Sequence, residues 1–439
     1  MNMRTLFYSI VSAGLLMAGL FPLQAQTDDE LFGSSESLVT EAPLVKPVES
    51  SASDISTGLL KTETVKIGGA FTFSLAGTAA GDSTIFSDYP TPSVVSYADL
   101  YADARPADNF RFFIKGRFSY PYTSDSSGNN PFSLREAYAD IEPLSGINAR
   151  LGKQTANWGV GYFFSPGNLL DFGTIDPENP TEERTGPLAV KFQRSQRTSN
   201  YYLYLLLDSA YSGGPIGLAP KAEWVLGSSE LSLGAYWQND KPWAVTGSIT
   251  FPMGPLDMFV EGAVKGNIDK NFLVLNGPAL TAETRQDKIF GQGTIGFSWS
   301  MDDSEGRYSL SLRGQYYYNG LGYENSDLFI AYPMQVASLL QQKTITVQDL
   351  KERGQHYGAG SLGISKILSS DFGLSFFWLG NLSDSSGKTS ATLSWSGLDK
   401  LNCSIAYSYA YGQEGTEFRP VGSVASSITL KVSLSMATF

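Results

Sequence analysis

The chain has 439 residues, a formal net charge of −12, 17% charged residues, 45 glycines, one cysteine and one histidine. A single Cys and a single His exclude internal disulfides, Cys-based zinc sites and multi-histidine metal centres. The negative charge argues against general nucleic-acid binding, whose affinity comes from neutralised phosphates. After the N-terminus, no run approaches the roughly 20 apolar residues that a membrane-spanning helix needs.

The first residues have the pattern of a secretory signal peptide. Arg4 precedes an apolar stretch from Leu6 to Phe21, and Ala25 is followed by polar residues. A positive start, a short apolar segment and a small residue at the cleavage site are typical of exported proteins. We predict a signal peptide over residues 1–25, with an uncleaved anchor helix as the alternative.

Residues 26–62 are rich in Ser, Thr, Glu and Pro, and carry seven acidic residues against two lysines. Low hydrophobicity combined with excess charge predicts disorder. We expect a disordered tail that acts as a solvated spacer, and binding of a partner is the alternative.

From Val65 onwards, apolar and polar residues alternate, which is the pattern of strands with two different faces. In the clearest example, Phe112 and Ile114 share one face while Arg111, Lys115 and Arg117 share the other. Many of these stretches have the ~9–11 residues that a tilted strand needs to cross a bilayer. The pattern predicts about 18 strands, near residues 65–75, 93–104, 110–120, 134–142, 147–154, 187–195, 200–208, 219–226, 230–238, 243–251, 256–266, 288–300, 307–319, 355–366, 371–380, 388–397, 400–411 and 427–438.

The connections between these strands alternate between short turns and longer segments, with 239–242 as a short exception. The longer segments are 76–92, 121–133, 155–186, 267–287, 320–354 and 412–426. Short turns on one side and long loops on the other are typical of outer-membrane barrels, and a sheet in a membrane must close because unpaired edge amides cannot face lipid. We therefore predict an all-β fold over residues 63–439: a transmembrane antiparallel β-barrel of about 18 strands, with the tail and short turns in the periplasm. A soluble β-sandwich or propeller is the alternative.

Two stretches resemble known outer-membrane proteins. The alternating last strand ends on Phe439, and a terminal aromatic residue resembles the assembly signal read by the barrel-assembly machinery, although Phe439 is out of phase with the apolar residues before it. Residues 134–171 contain Leu134-Arg135-Glu136-Ala137-Tyr138, then Gly152-Lys153-Gln154, then Trp158-Gly159. This is similar to a hairpin of phosphate-selective and alginate-export porins. The resemblance implies that the long loop 155–186 folds inward and narrows the pore, with Trp158, Asp171, Asp176 and Glu178 as constriction candidates.

The faces opposite lipid carry charged residues that would line a pore. The candidates are Arg111, Lys115, Arg117, Arg150, Lys191, Glu223, Glu261 and Arg313. Basic residues such as the stripe on 111–117 predict a constriction that favours anions, because opposed charges across a water-filled lumen set ion preference. The alternative is that basic and acidic residues pair across neighbouring strands and stiffen the wall.

The sequence therefore predicts an outer-membrane porin of a Gram-negative-type bacterium, which lets small hydrophilic solutes, including anions, diffuse passively. A transporter of hydrophobic solutes and a surface adhesin or structural barrel with a plugged lumen are the alternatives. We predict no enzymatic activity, metal site or cofactor, because His356 is the only imidazole and no Gly-x-Ser-x-Gly motif accompanies it. The expected partners are outer-membrane lipid, the barrel-assembly machinery and small hydrophilic solutes, with a homotrimer left open. The segment from Met334 to Lys351 predicts a short helix in a long loop, either as a lid or as loop filling.

Overall fold

The computed structural model describes residues 65–80, 91–107, 109–121, 131–144, 146–170, 176–180, 184–210, 213–398 and 400–438. The predicted signal peptide (1–25), the predicted tail (26–62), Asp171 and Phe439 lie outside the described residues. Those predictions therefore stay predictions.

Twenty strands follow one another along the described part of the chain. They are β1 (Val65–Ala80), β2 (Thr91–Ala107), β3 (Phe110–Pro121), β4 (Phe132–Leu144), β5 (Ile147–Lys153), β6 (Leu188–Ser195), β7 (Ser199–Leu206), β8 (Gly217–Leu226), β9 (Ser229–Tyr236), β10 (Trp243–Met253), β11 (Leu256–Gly266), β12 (Asn271–Asn276), β13 (Ala279–Thr284), β14 (Ile289–Asp302), β15 (Ser309–Asn319), β16 (His356–Ser365), β17 (Phe372–Asn381), β18 (Ser386–Leu398), β19 (Leu401–Tyr411) and β20 (Val424–Thr438). Two short helices, α1 (Asp327–Ala331) and α2 (Pro333–Gln341), lie between β15 and β16.

Eighteen of these strands form one closed antiparallel sheet. Each pairs with its neighbours along the chain, and β1 closes the circle by pairing with both β2 and β20. Thr72 on β1, for example, lies opposite Tyr97 on one side and Ser433 on the other. Among the described residues, closure leaves this sheet without an edge strand. The predicted all-β, antiparallel barrel of about 18 strands is confirmed, and most strand boundaries agree within a few residues.

The two faces of the barrel wall differ as the alternation predicts. On β3, Phe118 is 48% exposed and Phe112 41%, whereas the side chains of Lys115 and Arg117 are buried in the interior. Successive side chains of a strand point to opposite faces, so the apolar set points outward and the charged set inward. Further outward apolar residues are Leu203, Val260, Leu362, Leu393, Ile405 and Leu430.

Tight turns join strands at one end of the barrel. Leu226 pairs with Ser229 around Gly227, and Met253 pairs with Leu256 around Gly254. Both glycines have positive φ, 68° and 63°, which other residues adopt only with strain. These turns fix the register of the hairpins, so each strand keeps its apolar residues on the outward face.

The loop predicted over 267–287 contains a hairpin that the sequence pattern did not reveal. Strands β12 and β13 pair only with each other, outside the barrel sheet. Leu273 and Leu280 pack with Phe329, Val336 and Ile345 of the loop that holds α1 and α2. The short helix predicted within the segment from Met334 to Lys351 is present as α2, which ends at Gln341, and one 3-10 turn follows at Gln348–Leu350. In the described part of the chain, no helix is long and apolar enough to cross a membrane.

Candidate pore constriction

Charged residues on the inward face of β2 and β3 form bidentate ion pairs. Arg117 donates to both carboxylate oxygens of Asp99 at 2.7 and 2.8 Å, and the two residues lie directly opposite in the sheet. Arg111 donates to Asp103 at 2.8 and 3.2 Å. Bidentate pairs of this kind are the strongest side-chain hydrogen bonds and fix the planes of both groups.

The same arrangement continues on β4 and β5. Arg150 donates to Asp140 at 2.6 and 3.1 Å, and Arg111 approaches the same carboxylate at 3.7 Å. We call these six residues of β2–β5 the charged face: Asp99, Asp103, Arg111, Arg117, Asp140 and Arg150. For these three arginines, the structure shows the cross-strand pairing that the sequence left as an alternative.

Lysines add positive charge beside these pairs. Lys115 lies opposite Glu136 on β4, and Lys191 on β6 lies opposite Arg150, with both lysine side chains inward and buried. The ring of Tyr138 stacks on the ring of Phe113, with the ring centres 5.3 Å apart. The Arg150 guanidinium lies over the Tyr138 ring, 4.0 Å from its centre. Aromatic faces attract cations, so the ring helps to hold the guanidinium against the wall.

The loop 155–186, here called the inward loop, enters the barrel. Although they belong to a loop, Phe163, Phe164 and Leu170 are at most 3% exposed. Phe164 stacks on Tyr317 of β15 at 4.8 Å. At the start of the loop, the ring of Trp158 contacts the ring of Tyr204 on β7 edge-on, with the ring centres 5.7 Å apart. The first limb, 155–170, therefore spans the interior from β7 to β15, consistent with the resemblance to porins.

Glu261 of β11 holds this limb in place. Its carboxylate accepts hydrogen bonds from the backbone N–H groups of Val160, Gly161 and Gly167 and from the hydroxyl of Ser165, at 2.5 to 3.0 Å. The side chain is 2% exposed. Four donors compensate the buried negative charge, which would otherwise be very unfavourable. Glu261 has the inward parity that the sequence predicts, but the loop covers its side chain, so the carboxylate anchors the loop instead of facing open lumen.

Close approach to this carboxylate requires glycine at two positions of the loop. A Cβ atom on Gly159 would lie 1.6 Å from the Ser165 hydroxyl, and one on Gly167 would lie 2.9 Å from the Glu261 carboxylate. Neither distance is possible for real atoms without movement. The glycine of Trp158-Gly159, quoted above as a porin-like motif, is thus explained by the lack of space for a side chain at this position.

Gln315 of β15 is a second anchor. Its side-chain carbonyl accepts from the N–H of Phe163 at 2.7 Å, and its amide donates to the carbonyl of Phe164 at 2.5 Å. The sequence marked Gln315 only as a polar position of an alternating strand. Its role depends on a loop some 150 residues earlier in the chain, so no local signal could have identified it.

The remaining candidates also contact the loop or one another. The Arg313 guanidinium of β15 lies 4.1 Å from the ring centre of Tyr162, and Lys221 donates to the carbonyl of Trp158 at 3.0 Å. Glu223 pairs with Lys221 at 2.7 Å. Sequence reasoning placed Arg313 and Glu223 on the inward face, but the partner of Arg313 is the loop tip rather than an acid on the next strand.

The second limb of the inward loop, 176–180, reaches β18. Glu178 accepts from Lys388 at 2.5 Å, and Asp176 accepts from the N–H of Glu178 at 3.0 Å, which closes a turn. The loop is thus attached to the wall at β7–β8, β11, β15 and β18. Its described parts narrow the lumen.

The inward residues of β16–β20 differ from the charged face because most of them are Ser or Thr. We call them the hydroxyl face: Ser361, Ser375, Ser390, Thr392, Ser404, Ser408, Ser427 and Thr429. Lys388 and Lys431 lie on the same side. The alternation of Ser and Thr along β18 is visible in the sequence, but the alignment of hydroxyls from several strands depends on the register.

Two glutamates of the long loops lie above the tip of the inward loop. Glu352 accepts from the Tyr317 hydroxyl at 3.3 Å, and Glu417 accepts from the Tyr357 hydroxyl at 2.6 Å. Burial raises the pKa of Glu352 to about 6, and the negative charge of Glu417 adds to this rise. Burial also raises the pKa of Glu417. These loops therefore carry carboxyl groups that titrate closer to neutrality than ordinary ones.

Among the described residues, no group of three or more His, Cys, Asp or Glu side chains is arranged to hold a metal ion. His356 shares a hydrogen bond of 2.7 Å with the Tyr316 hydroxyl. The described interior can therefore interact with a solute through hydrogen bonds and charges, along a path that the inward loop narrows.

Of the comparisons with known proteins, the one with solved structures agrees on the fold. No protein-family model and no curated protein matches the chain. Among solved structures, OccAB1 of Acinetobacter baumannii has a TM-score of 0.52 at 11% identity, covering 86% of this chain and 97% of that chain. OccK2 (OpdF) of Pseudomonas aeruginosa, in complex with glucuronate, has a TM-score of 0.51 at 10% identity, covering 86% and 99%. Both are outer-membrane porins, and the likeness shows that this chain has the same fold.

Proposed function

We propose that the protein is an outer-membrane porin through which small hydrophilic solutes diffuse passively. The observation that carries this proposal is a closed barrel, apolar outside and polar inside, whose interior is narrowed by a loop pinned to Glu261. A barrel wall with apolar residues outward suits lipid, and a polar interior suits water. Export through residues 1–25, the tail 26–62 in the periplasm and recognition of Phe439 by the barrel-assembly machinery belong to the same proposal.

The polar interior favours this function over a transporter of hydrophobic solutes. Such a transporter needs an apolar path, whereas the described inward faces carry ion pairs and hydroxyls. A plugged structural or adhesive barrel would share the fold but conduct no ions. Diffusion down a gradient needs no catalytic residue or cofactor.

The pore is expected to favour anions weakly. The inward face carries the positive charges of Lys115 and Lys191 and of Arg111, Arg117 and Arg150, and the field of these arginines is reduced because aspartates pair with them. Fixed charges near a constriction set ion preference. The resemblance to phosphate-selective and alginate-export porins, and the glucuronate bound to OccK2, both concern anionic solutes.

Conductance in planar bilayers tests the proposal. The purified protein should give discrete open steps, and a KCl gradient should give a reversal potential with the sign of anion preference. Cation preference would contradict the anion proposal. A protein that inserts without any steps would contradict the porin and favour a plugged barrel.

A further inference from the structure

A row of hydroxyls crosses the wall beside the loop tip. In the register of β15–β20, Arg313, Ser361, Phe377, Ser390, Ser408 and Ser427 are successive pairing partners on neighbouring strands. The four serines of this row are uncharged, and each hydroxyl can both donate and accept a hydrogen bond. We call these four serines the serine row.

The inward loop is attached at both ends of the β15–β18 part of this row. At one end Arg313 covers Tyr162, and beside it Phe163 packs on Phe377 at 5.6 Å. At the other end Glu178 accepts from Lys388, which lies on the same face of β18 as Ser390, two residues away. The row therefore lies beside the loop, where Ser390 is partly exposed and the other three serines are 3–5% exposed.

One member of the row has an unmet hydrogen bond. Ser361 is 3% exposed, and its hydroxyl has no hydrogen-bond partner among the described residues. Such groups are rare in folded proteins, and each calls for a partner such as water or a ligand. On the charged face, by contrast, the three arginines already bind aspartates.

We propose that the serine row is a subsite for neutral polyhydroxylated solutes, that is, small sugars and sugar alcohols. A sugar hydroxyl can exchange its bonds to water for bonds to the row without stripping water from a charge, which would be far less favourable. Phe377, within the row, offers apolar surface to the C–H groups of a sugar ring. Weak binding at a constriction speeds passage because it favours entry and still permits release. This inference rests on the proposed porin function and names a class of solute for it.

Swelling of proteoliposomes that contain the full-length protein tests the inference. The probes are arabinose and triethylene glycol, neutral solutes of equal mass that differ in their number of hydroxyls. In the unaltered protein, arabinose should enter faster relative to the glycol than its free diffusion explains. In Ser390→Ala/Ser408→Ala, which removes two neighbouring hydroxyls without changing charge, this ratio should fall about threefold to tenfold, as expected for lost neutral hydrogen bonds.

The matched control is Ser232→Ala/Ser248→Ala. These serines are also inward neighbours on adjacent strands, but their hydroxyls bond each other at 2.7 Å. The control should keep the ratio of the unaltered protein. If the first variant does not fold, a second pair, Thr392→Val/Thr429→Val, replaces it. This pair removes the hydroxyls next to the row with little change of shape, and it should also lower the ratio.

KCl conductance, measured on every variant, separates the two proposals. No conductance in the unaltered protein would overturn the porin itself. Normal conductance with no preference for arabinose, or with a preference that both serine variants retain, would overturn only the subsite.

Discussion

The charged face and the hydroxyl face are built on the same barrel, but they use their polar groups differently. On β2–β5, the guanidinium of each charged-face arginine is bound by an aspartate of a neighbouring strand. On β16–β20, the inward hydroxyls are uncharged, and the buried hydroxyl of Ser361 has no partner among the described residues. The first face is largely satisfied internally and stiffens the wall, whereas the second can bond to what passes. A count of polar lumen residues would miss this difference.

The inward loop narrows the lumen between the two faces, so releasing it should have the largest effect. Glu261→Ala removes the acceptor of four loop donors, each bond to a charged group being worth about 1.5–3 kcal/mol. We expect the first limb to leave the wall and the single-channel conductance to rise about twofold or more. Asp257→Ala, an exposed inward acid on the same strand, should leave conductance nearly unchanged. Equal conductance in Glu261→Ala and the unaltered protein would mean that the loop does not limit the pore.

Removing one acid should break one of the three ion pairs of the charged face. Asp99→Asn leaves the Arg117 guanidinium without its bidentate partner. One unscreened charge acts with ~1 kcal/mol at 4 Å in water, so anion preference in a KCl gradient should rise about twofold to fivefold.

The control for Asp99→Asn is Asp303→Asn. Asp303 pairs with Arg307 at 2.8 Å in the turn between β14 and β15, outside the constriction. The control should not move the reversal potential. If Asp99→Asn also leaves it unchanged, Arg117 does not face the ion path.

The smallest effect concerns the loops above the tip of the inward loop. The pKa of Glu352 is raised to about 6 from an ordinary 4.5 while the loop is packed, with Glu417, Lys265, Lys270 and Tyr317 as its charged or titratable neighbours. The packed loop therefore binds the proton more tightly than the open loop. This stabilisation is complete below about pH 4.5 and is lost as the pH rises through about 6.

Hydrogen exchange of residues 320–355 should therefore be slower at pH 5 than at pH 8, after correction for intrinsic rates. Glu352→Gln should remove most of this difference, because its amide does not ionise. Glu324→Gln, an exposed position of the same loop, should keep the difference. A difference that persists in Glu352→Gln would assign the titration to another group.

Much of the barrel could be predicted from the sequence because a strand repeats every two residues. The alternation of Phe112 and Ile114 with Lys115 and Arg117 is enough to place one set outside and the other inside. The hairpin β12–β13 was not predicted from the sequence because it is short and lies within a long connection, where no lipid-facing pattern is required.

The inward placement of Arg111, Arg117, Arg150 and Glu261 was also predictable, but not what these side chains bind. Parity determines which way a side chain points, and this is local information. The register and the path of the inward loop decide whether Arg117 meets Asp99, whether Glu261 meets water or Val160, and whether four serines of four strands form one row. The sequence by itself determined the wall and its two faces. Only the tertiary structure decided which polar groups are satisfied within the protein and which are left for a solute, because that depends on contacts between residues up to 210 positions apart.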